Sequence, residues 1–490
     1  MEILEIFQPL RELIVQLPHQ FCQLSWPKLS ILGLIPPLVV FVAIYLALVL
    51  KSSSNGNFPG PRPWPIVGNL PSLYRCHAER QFLLWSKQLG DVIQVRFGNM
   101  TVVVVNSAAS AKGIFTGSAA ALSSLYGDAL KRGRKATAAE LSKPAVKANL
   151  DKVDLETRHF VHELLSYGGE GLTPLHVSKL VKRLALSLSM SICYGRRMYL
   201  GDPLTQEIIE VEHEILKLRS MTDNLQDFLP MLRVWPFNRY RGPAVKLCER
   251  RDAYVRQLNE EVKEKMCNNT HEQCLWSKNE AATHPLPLAE LSTVLLTFLS
   301  GGLATESNTI YWGLILLAAR PDIQKTALHH IQGEYPDIGQ VFGAALRDTE
   351  DIPYISALPI VYQDKIIPEG STVVLNTFAC NRDPTLYRDP DTFRPERWIE
   401  DPDQPIFSYG LGYRMCAGYT LANHVMYTLF TRLIASFEIC SAAEIDPDPI
   451  SGCEDPAHQA MAPRPTGLYF KPRTAAALKK SLQRNACTQL

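Results

Sequence analysis

Residues Phe407 to Gly418, FSYGLGYRMCAG, restrict what this chain can fold into more than any other stretch. Gly410 and Gly412 allow the tight turns that bring a backbone close to a flat partner, because glycine reaches angles closed to other residues. Cys416 follows them, and Leu421 to Phe437 behind it has helical periodicity. A cysteine is thus presented at the head of a helix, where N-terminal amides can help stabilise a thiolate. The chain has eleven cysteines, without Cys-x-x-Cys pairs or zinc spacings. An odd, unpatterned set suits reduced thiols in a cytosol-facing body, and leaves the sequon Asn268-Asn269-Thr270 without the lumenal surface it needs. An isolated cysteine after a glycine-rich loop is ordinarily a small buried hydrophobe. Six fixed positions within twelve residues (Phe407, Gly410, Gly412, Arg414, Cys416 and Gly418) argue against that here.

Those positions match Phe-x-x-Gly-x-Gly-x-Arg-x-Cys-x-Gly throughout, and the loop resembles the haem-binding loop of the cytochrome P450 superfamily, fungal microsomal type. The resemblance implies a mainly α fold with small β-sheets around a buried haem b, whose iron takes the Cys416 thiolate as axial ligand. A thiolate pushes electron density toward dioxygen and favours O–O cleavage. Arg414 would pair with a haem propionate through its forked guanidinium. Phe407 would pack beside the sulfur and limit water access. Upstream, Leu299 to Asn308 reads LSGGLATESN within an apolar helical stretch. A Gly-Gly pair weakens a helix locally and lets water or dioxygen enter its ladder. The resemblance gives Thr305 a part in proton delivery to bound dioxygen. Taken alone, it is a mid-helix threonine bonding back to a carbonyl.

Asn376 to Pro384 (NTFACNRDP) and Phe393 to Trp398 (FRPERW) also resemble the superfamily. KPAVKANLDKVDLETR (Lys143 to Arg158), NLQDFLPMLRVWPFN (Asn224 to Asn238) and YGLGYRMCAG (Tyr409 to Gly418) are most similar to fungal phenylacetate hydroxylases. Two departures stand out. The superfamily usually carries an acid before the threonine, and here that residue is Ala304. Glu306, rotated about 100° around the helix, reads as a solvated or ion-paired glutamate rather than a substitute. Secondly, no Glu-x-x-Arg occurs anywhere in the chain. The helix that carries it belongs after Ile352 to Leu358, and roughly 20–25 residues are missing near 358–361, judged by average element lengths. Arg397, which the superfamily pairs with that helix, is expected to lose its partners, at a cost of about 3–5 kcal/mol.

Ile31 to Leu50 is twenty residues without a charge, bracketed by Lys28 and Lys51. As a helix it spans about 30 Å, one bilayer core, and reads as a transmembrane anchor starting too late for a cleaved signal peptide. The expected order is an N-terminal segment 1–30, the anchor 31–50, a linker 51–58, a catalytic domain 59–473 and a tail 474–490. Strands are expected at Val92 to Phe97, Thr101 to Val105 and within Asp364 to Leu375, with mainly helix from 150 to 330. A net charge of +1 gives no reason to expect nucleic acid.

The resemblance implies a monooxygenase at the endoplasmic reticulum membrane, acting on a small organic substrate such as an aromatic acid or a fungal secondary-metabolite intermediate. No flavin or nicotinamide fingerprint is present, so electrons would come from NADPH through a separate cytochrome P450 reductase. The basic cluster Lys131, Arg132, Arg134 and Lys135 could meet haem propionates or that reductase, or be a solvated turn. Ala304 and the missing Glu-x-x-Arg motivate two alternatives: an impaired haem-binding relative, and an isomerase or peroxide user.

Overall fold

The computed structural model describes Pro36, Val39, Val40 and residues 58–74, 76–98, 100–117, 128–219, 225–229, 232, 241–344, 372–401, 403–412, 415–455 and 461–483. Contacts divide the chain into two units, Met1–Asn57 with Trp64–Ile66, and the remainder. In the first, Pro36, Val39 and Val40 are helical, and the rest of the expected anchor lies outside the described residues. The expected gap near 358–361 lies outside them too.

The second unit opens with helix α1 (Ala78–Leu89), β1 (Val92–Phe97), β2 (Met100–Val105) and the short α2 (Ala108–Lys112). Alternation in VIQVRF buries every second side chain, and β1 pairs antiparallel with β2 as expected. Gly98 turns the hairpin at φ 56°, and a Cβ there would lie 2.0 Å from the Phe228 carbonyl oxygen, so only glycine fits. Further helices are α3 (Asp128–Glu140), α4 (Leu150–Tyr167), α5 (Ser178–Tyr194), α6 (Pro203–Leu218) and α7 (Arg241–Cys267). A 32-residue helical rod, Leu288–Ala319, follows as α8 (Leu288–Gly301), a π-turn (Gly302–Glu306) and α9 (Ser307–Ala319). After α10 (Pro321–Glu334) and α11 (Ile338–Ala344), the chain reaches α12 (Tyr419–Ser436) and α13 (Ala475–Gln483).

Among the described residues there are two three-stranded sheets. β4 (Thr372–Leu375) lies parallel to β2, and β6 (Gly467–Pro472) sits between β3 (Leu175–His176) and β5 (Phe437–Ser441). Only Thr372–Leu375 of the expected β segment at 364–375 is described. The core gathers Phe160 and Leu164 of α4, Leu184 of α5, Ile310 and Leu314 of α9, and Leu429 and Leu433 of α12. Each such side chain contributes about 1.5–3 kcal/mol on burial. The rod Leu288–Ala319 is apolar and long enough to cross a membrane, but Leu295, Ile310 and Leu314 are fully buried, which marks a core helix.

Buried charges hold these helices in register. Arg183 of α5 donates to Glu156 and Glu163 of α4. Arg432 of α12 donates to the Asp154 carboxylate, to the Thr157 hydroxyl at 2.7 Å and to the Phe342 carbonyl at 2.7 Å. The expectation that Arg397 is left alone is corrected. Its guanidinium donates to three carbonyls, Arg394 at 3.1 Å, Asp389 at 3.0 Å and Thr392 at 2.7 Å. Three of its five N–H donors are satisfied by the local backbone, so the cost of a buried cation left wholly without partners does not arise.

Candidate active site

The cysteine loop is built by short backbone bonds. Gly410 N–H donates to the Phe407 carbonyl at 2.9 Å, Met415 N–H to Gly412 at 3.1 Å, and Cys416 N–H to Tyr409 at 2.8 Å. Gly410 and Gly412 adopt φ 73° and 61°, the left-handed region that glycine enters without strain. A Cβ on Gly412 would stand 2.0 Å from the Phe115 carbonyl oxygen, so the loop and the end of the α2 segment touch backbone to backbone. Phe407 is fully buried with Ala108, Ala111, Ile114 and Leu411, and its N–H donates to Asn381 Oδ1 at 2.8 Å. Gly418 caps α12, with Cys416 Sγ 3.8 Å from where its Cβ would lie. Arg414 lies outside the described residues.

Among the described residues Cys416 is exposed, as are Cys76, Cys248 and Cys267, whereas Cys193, Cys274, Cys380 and Cys453 are buried. Burial pushes the Cys380 thiol up to about 12 and raises the thiols of Cys193 and Cys453, so these three are packing residues.

Helix α3 spans from the cysteine loop to the helical rod. Arg134 donates to the Met415 carbonyl at 3.2 Å, and Arg132 donates to Glu290, near the head of α8, at 2.6 and 3.0 Å. Lys131 pairs with Asp128 at 3.3 Å in the open, and Lys135 is exposed. The basic cluster therefore lies on a helix rather than a turn: Arg134 reaches the loop, while Lys131, Arg132 and Lys135 are exposed. On the rod, Thr297, Gly301, Thr305 and Thr309 form an exposed stripe at four-residue spacing, whereas from Glu290 onward the other positions, Thr293 apart, are buried or partly buried. An open stripe on a core helix, with an open thiol also adjoining α3, fits a flat apolar group carried on a cysteine.

Thr305 lies in the π-turn, and its hydroxyl donates to the Gly301 carbonyl at 2.6 Å. This is the back-bonding geometry that a mid-helix threonine adopts by default. The local weakening expected from the Gly-Gly pair takes the form of a π-turn, a feature frequent at functional sites. Gly302 is required because α5 presses on it: a Cβ would meet Ser189 Oγ at 2.3 Å.

Glu306 is partly buried and has no ion-pair partner among the described residues, so the ion-paired alternative read from sequence does not hold. Its Oε1 is sealed from solvent and has no hydrogen-bond partner among the described residues. Burial pushes the carboxyl up to about 8, so it is mainly neutral at neutral pH. Helical periodicity marked the rod as a core helix but could not tell which of its faces meets α5.

Sequence reasoning also missed a second carboxylate beside the rod. Glu212 of α6 is 3% exposed and accepts from Tyr254 Oη at 2.7 Å and from the Ser300 hydroxyl. No motif marks it, because the three residues come from three helices.

A mainly helical domain with small sheets and a cysteine on a glycine-turned loop at the head of a helix fits a class, the haem-thiolate oxidoreductases. The chain belongs to the cytochrome P450 family, whose profile, Cytochrome P450, matches residues 58–465. It is 38% identical to 3-hydroxyphenylacetate 6-hydroxylase of Emericella nidulans, over 89% of this chain and 92% of that protein. It is 31% identical to cytochrome P450 monooxygenase CYP3 of Mycosarcoma maydis, over 91% and 94%. Phenylacetate 2-hydroxylase of Emericella nidulans is 30% identical, over 85% and 90%. The chain is thus an oxidoreductase of the cytochrome P450 monooxygenase family with a likeness to fungal phenylacetate hydroxylases.

Proposed function

We propose that this protein hydroxylates an aromatic acid of the arylacetate type, with haem held by Cys416. The observation that carries the reading is the loop: of the exposed cysteines among the described residues, Cys416 is the one that follows the left-handed glycines Gly410 and Gly412 and precedes the head of α12. Haem, when bound to a thiolate, supplies dioxygen activation. The chain's own residues supply the rest. Gly410 and Gly412 set the loop's turns, Phe407 fills the space beneath it, Gly418 leaves the flank of the sulfur clear, and Arg414 would anchor a propionate. Arg134 ties the loop to α3. Thr305 holds its hydroxyl proton on the Gly301 carbonyl, on the open stripe of the rod. Electrons would come from NADPH through a separate reductase. Residues 31–50 would anchor the chain in the endoplasmic reticulum membrane, with the catalytic domain toward the cytosol.

Supporting the substrate class are the two hydroxylase relatives, which carry phenylacetate in their names. Neither the relatives nor the site favours an inactive reading. The test combines a spectrum and a turnover assay. Reduced chain with carbon monoxide is expected to show the strongly red-shifted Soret band of a thiolate ligand, and Cys416→Ser to lose it. With reductase and NADPH, phenylacetate or 3-hydroxyphenylacetate is expected to yield a ring-hydroxylated product. A normal band with no product from either acid would retire the substrate class, and a normal band in Cys416→Ser would retire the ligand.

A further inference from the structure

Insertion of one oxygen atom from dioxygen, with the other leaving as water, consumes two protons and two electrons per turnover. NADPH supplies the electrons through the reductase, and the protons come from solvent. The Thr305 hydroxyl donates to Gly301, and the sealed Glu306 oxygen has no partner to exchange with among the described residues. Neither makes a path.

One polar route does reach the rod. Ser300, Ala304, Ser307 and Tyr311, spaced by four, three and four residues, share a helix face that lines a cavity of about 60 Å³. That holds roughly two to four waters. Across the cavity stand Lys182 of α5, Glu212 and His213 of α6, and Glu454. The Glu212 carboxylate is the inner end. It is buried, and it accepts from Tyr254 and from Ser300, one turn before Ala304. At the outer end Lys182 has no hydrogen-bond partner among the described residues, and burial lowers it while Glu454 opposes that shift. An alanine at 304 keeps the cavity open where a longer side chain would fill it.

We propose that Glu212 is a proton-carrying positioning residue. Through the Ser300 hydroxyl and water beside Ala304, it supplies the carboxylate that the rod lacks next to Thr305. A proton arrives at the Glu212 carboxylate from cavity water. The Ser300 hydroxyl, which donates to Glu212 in the structure, turns its hydrogen to the water beside Ala304, releases it there and takes the Glu212 proton on its oxygen. One proton crosses and no electron moves. The inference rests on the monooxygenase reading above.

The test uses the full chain with haem, reductase, NADPH and whichever arylacetate gives product. Glu212→Gln keeps the side chain's shape but cannot carry a proton. It is expected to leave the carbon-monoxide band in place, lower product per NADPH on the order of tenfold, release the difference as peroxide, and enlarge the solvent deuterium effect. Glu212→Asp is expected to recover part of the coupling. Ala304→Asp added to Glu212→Gln is expected to recover more. Ser300→Ala decides the matter if Glu212→Gln loses the band, since it breaks the same route without touching the carboxylate. Independently of turnover, the carboxylate infrared band that disappears in Glu212→Gln is expected to shift within minutes in D2O, as its hydroxyl donors exchange through the cavity. Unchanged coupling and deuterium effect in a variant with a normal band would overturn the proposal, as would a carboxylate band blind to D2O. Wild-type chain with a normal band and no NADPH-dependent product would overturn the monooxygenase reading instead.

Discussion

Gly412 leaves no room for a methyl group, since its Cβ would lie 2.0 Å from the Phe115 carbonyl oxygen at a φ of 61°. Gly412→Ala is expected to cost about 1–3 kcal/mol in backbone strain alone, more with the collision, and to weaken haem retention. A urea melt and the carbon-monoxide band check both effects, and a melt matching wild type would show that the two backbones can part freely. Glu306 makes a prediction with a sign. Its folded carboxyl is raised to about 8 from an ordinary 4.5, so the folded chain keeps a proton that the unfolded chain releases. That contribution is fully present below pH 4.5, fades as pH rises toward 8, and is gone above it. Wild type is therefore expected to lose more stability than Glu306→Gln between about pH 5 and about pH 9, read from denaturation midpoints. Parallel pH curves would show that the carboxyl is solvated after all. Gly412 could be read from the chain because a spaced motif names it. Glu306 could not, because burial of one helix face depends on what packs there.

At the scale of elements, α12 carries the cysteine loop at its head and is clamped to α4 by Arg432. That guanidinium lies 4.8 Å from the Phe342 ring centroid, and burial lowers it to about 10. Asp154 also accepts from Arg158 at 2.8 and 2.9 Å. The two ends of this network are therefore unequal. Asp154→Ala leaves two guanidinium groups without their carboxylate and is expected to cost about 3–5 kcal/mol. Arg432→Met is expected to cost less, because Arg158 still neutralises Asp154. Thermal melts of both variants test the order, and a reversed order would place the clamp elsewhere. The helices themselves were visible in the sequence: Leu421 to Phe437 is expected to be helical, and α12 spans Tyr419–Ser436. The clamp was not, because Asp154 and Arg432 stand 278 residues apart.

For the whole molecule, the rod Leu288–Ala319 and the segment 31–50 both qualify as membrane spans by length and composition. Packing marks the rod as a core helix, since it contributes Leu295, Ile310 and Leu314 to the interior. Removing residues 1–57 is expected to release the chain from membranes to the soluble fraction in high-salt wash, with the carbon-monoxide band kept. Retention in the membrane would mean that a second surface of the domain binds lipid. The absence of Glu-x-x-Arg also belongs at this scale. An uninterrupted transcript matching this chain, together with a normal band, would show that the family fold loads haem without that helix.

Local chemistry was enough to establish much of this protein from sequence. A glycine-turned cysteine loop, alternation in two strands, and long apolar periodicity each depend on neighbours a few residues apart, so the family and the loop could be read directly. Tertiary structure alone decided which carboxylates are buried, what Arg397 bonds to, and where a cavity meets the rod. Those outcomes depend on desolvation and on groups brought together from distant helices, and a single linear pattern carries no record of either.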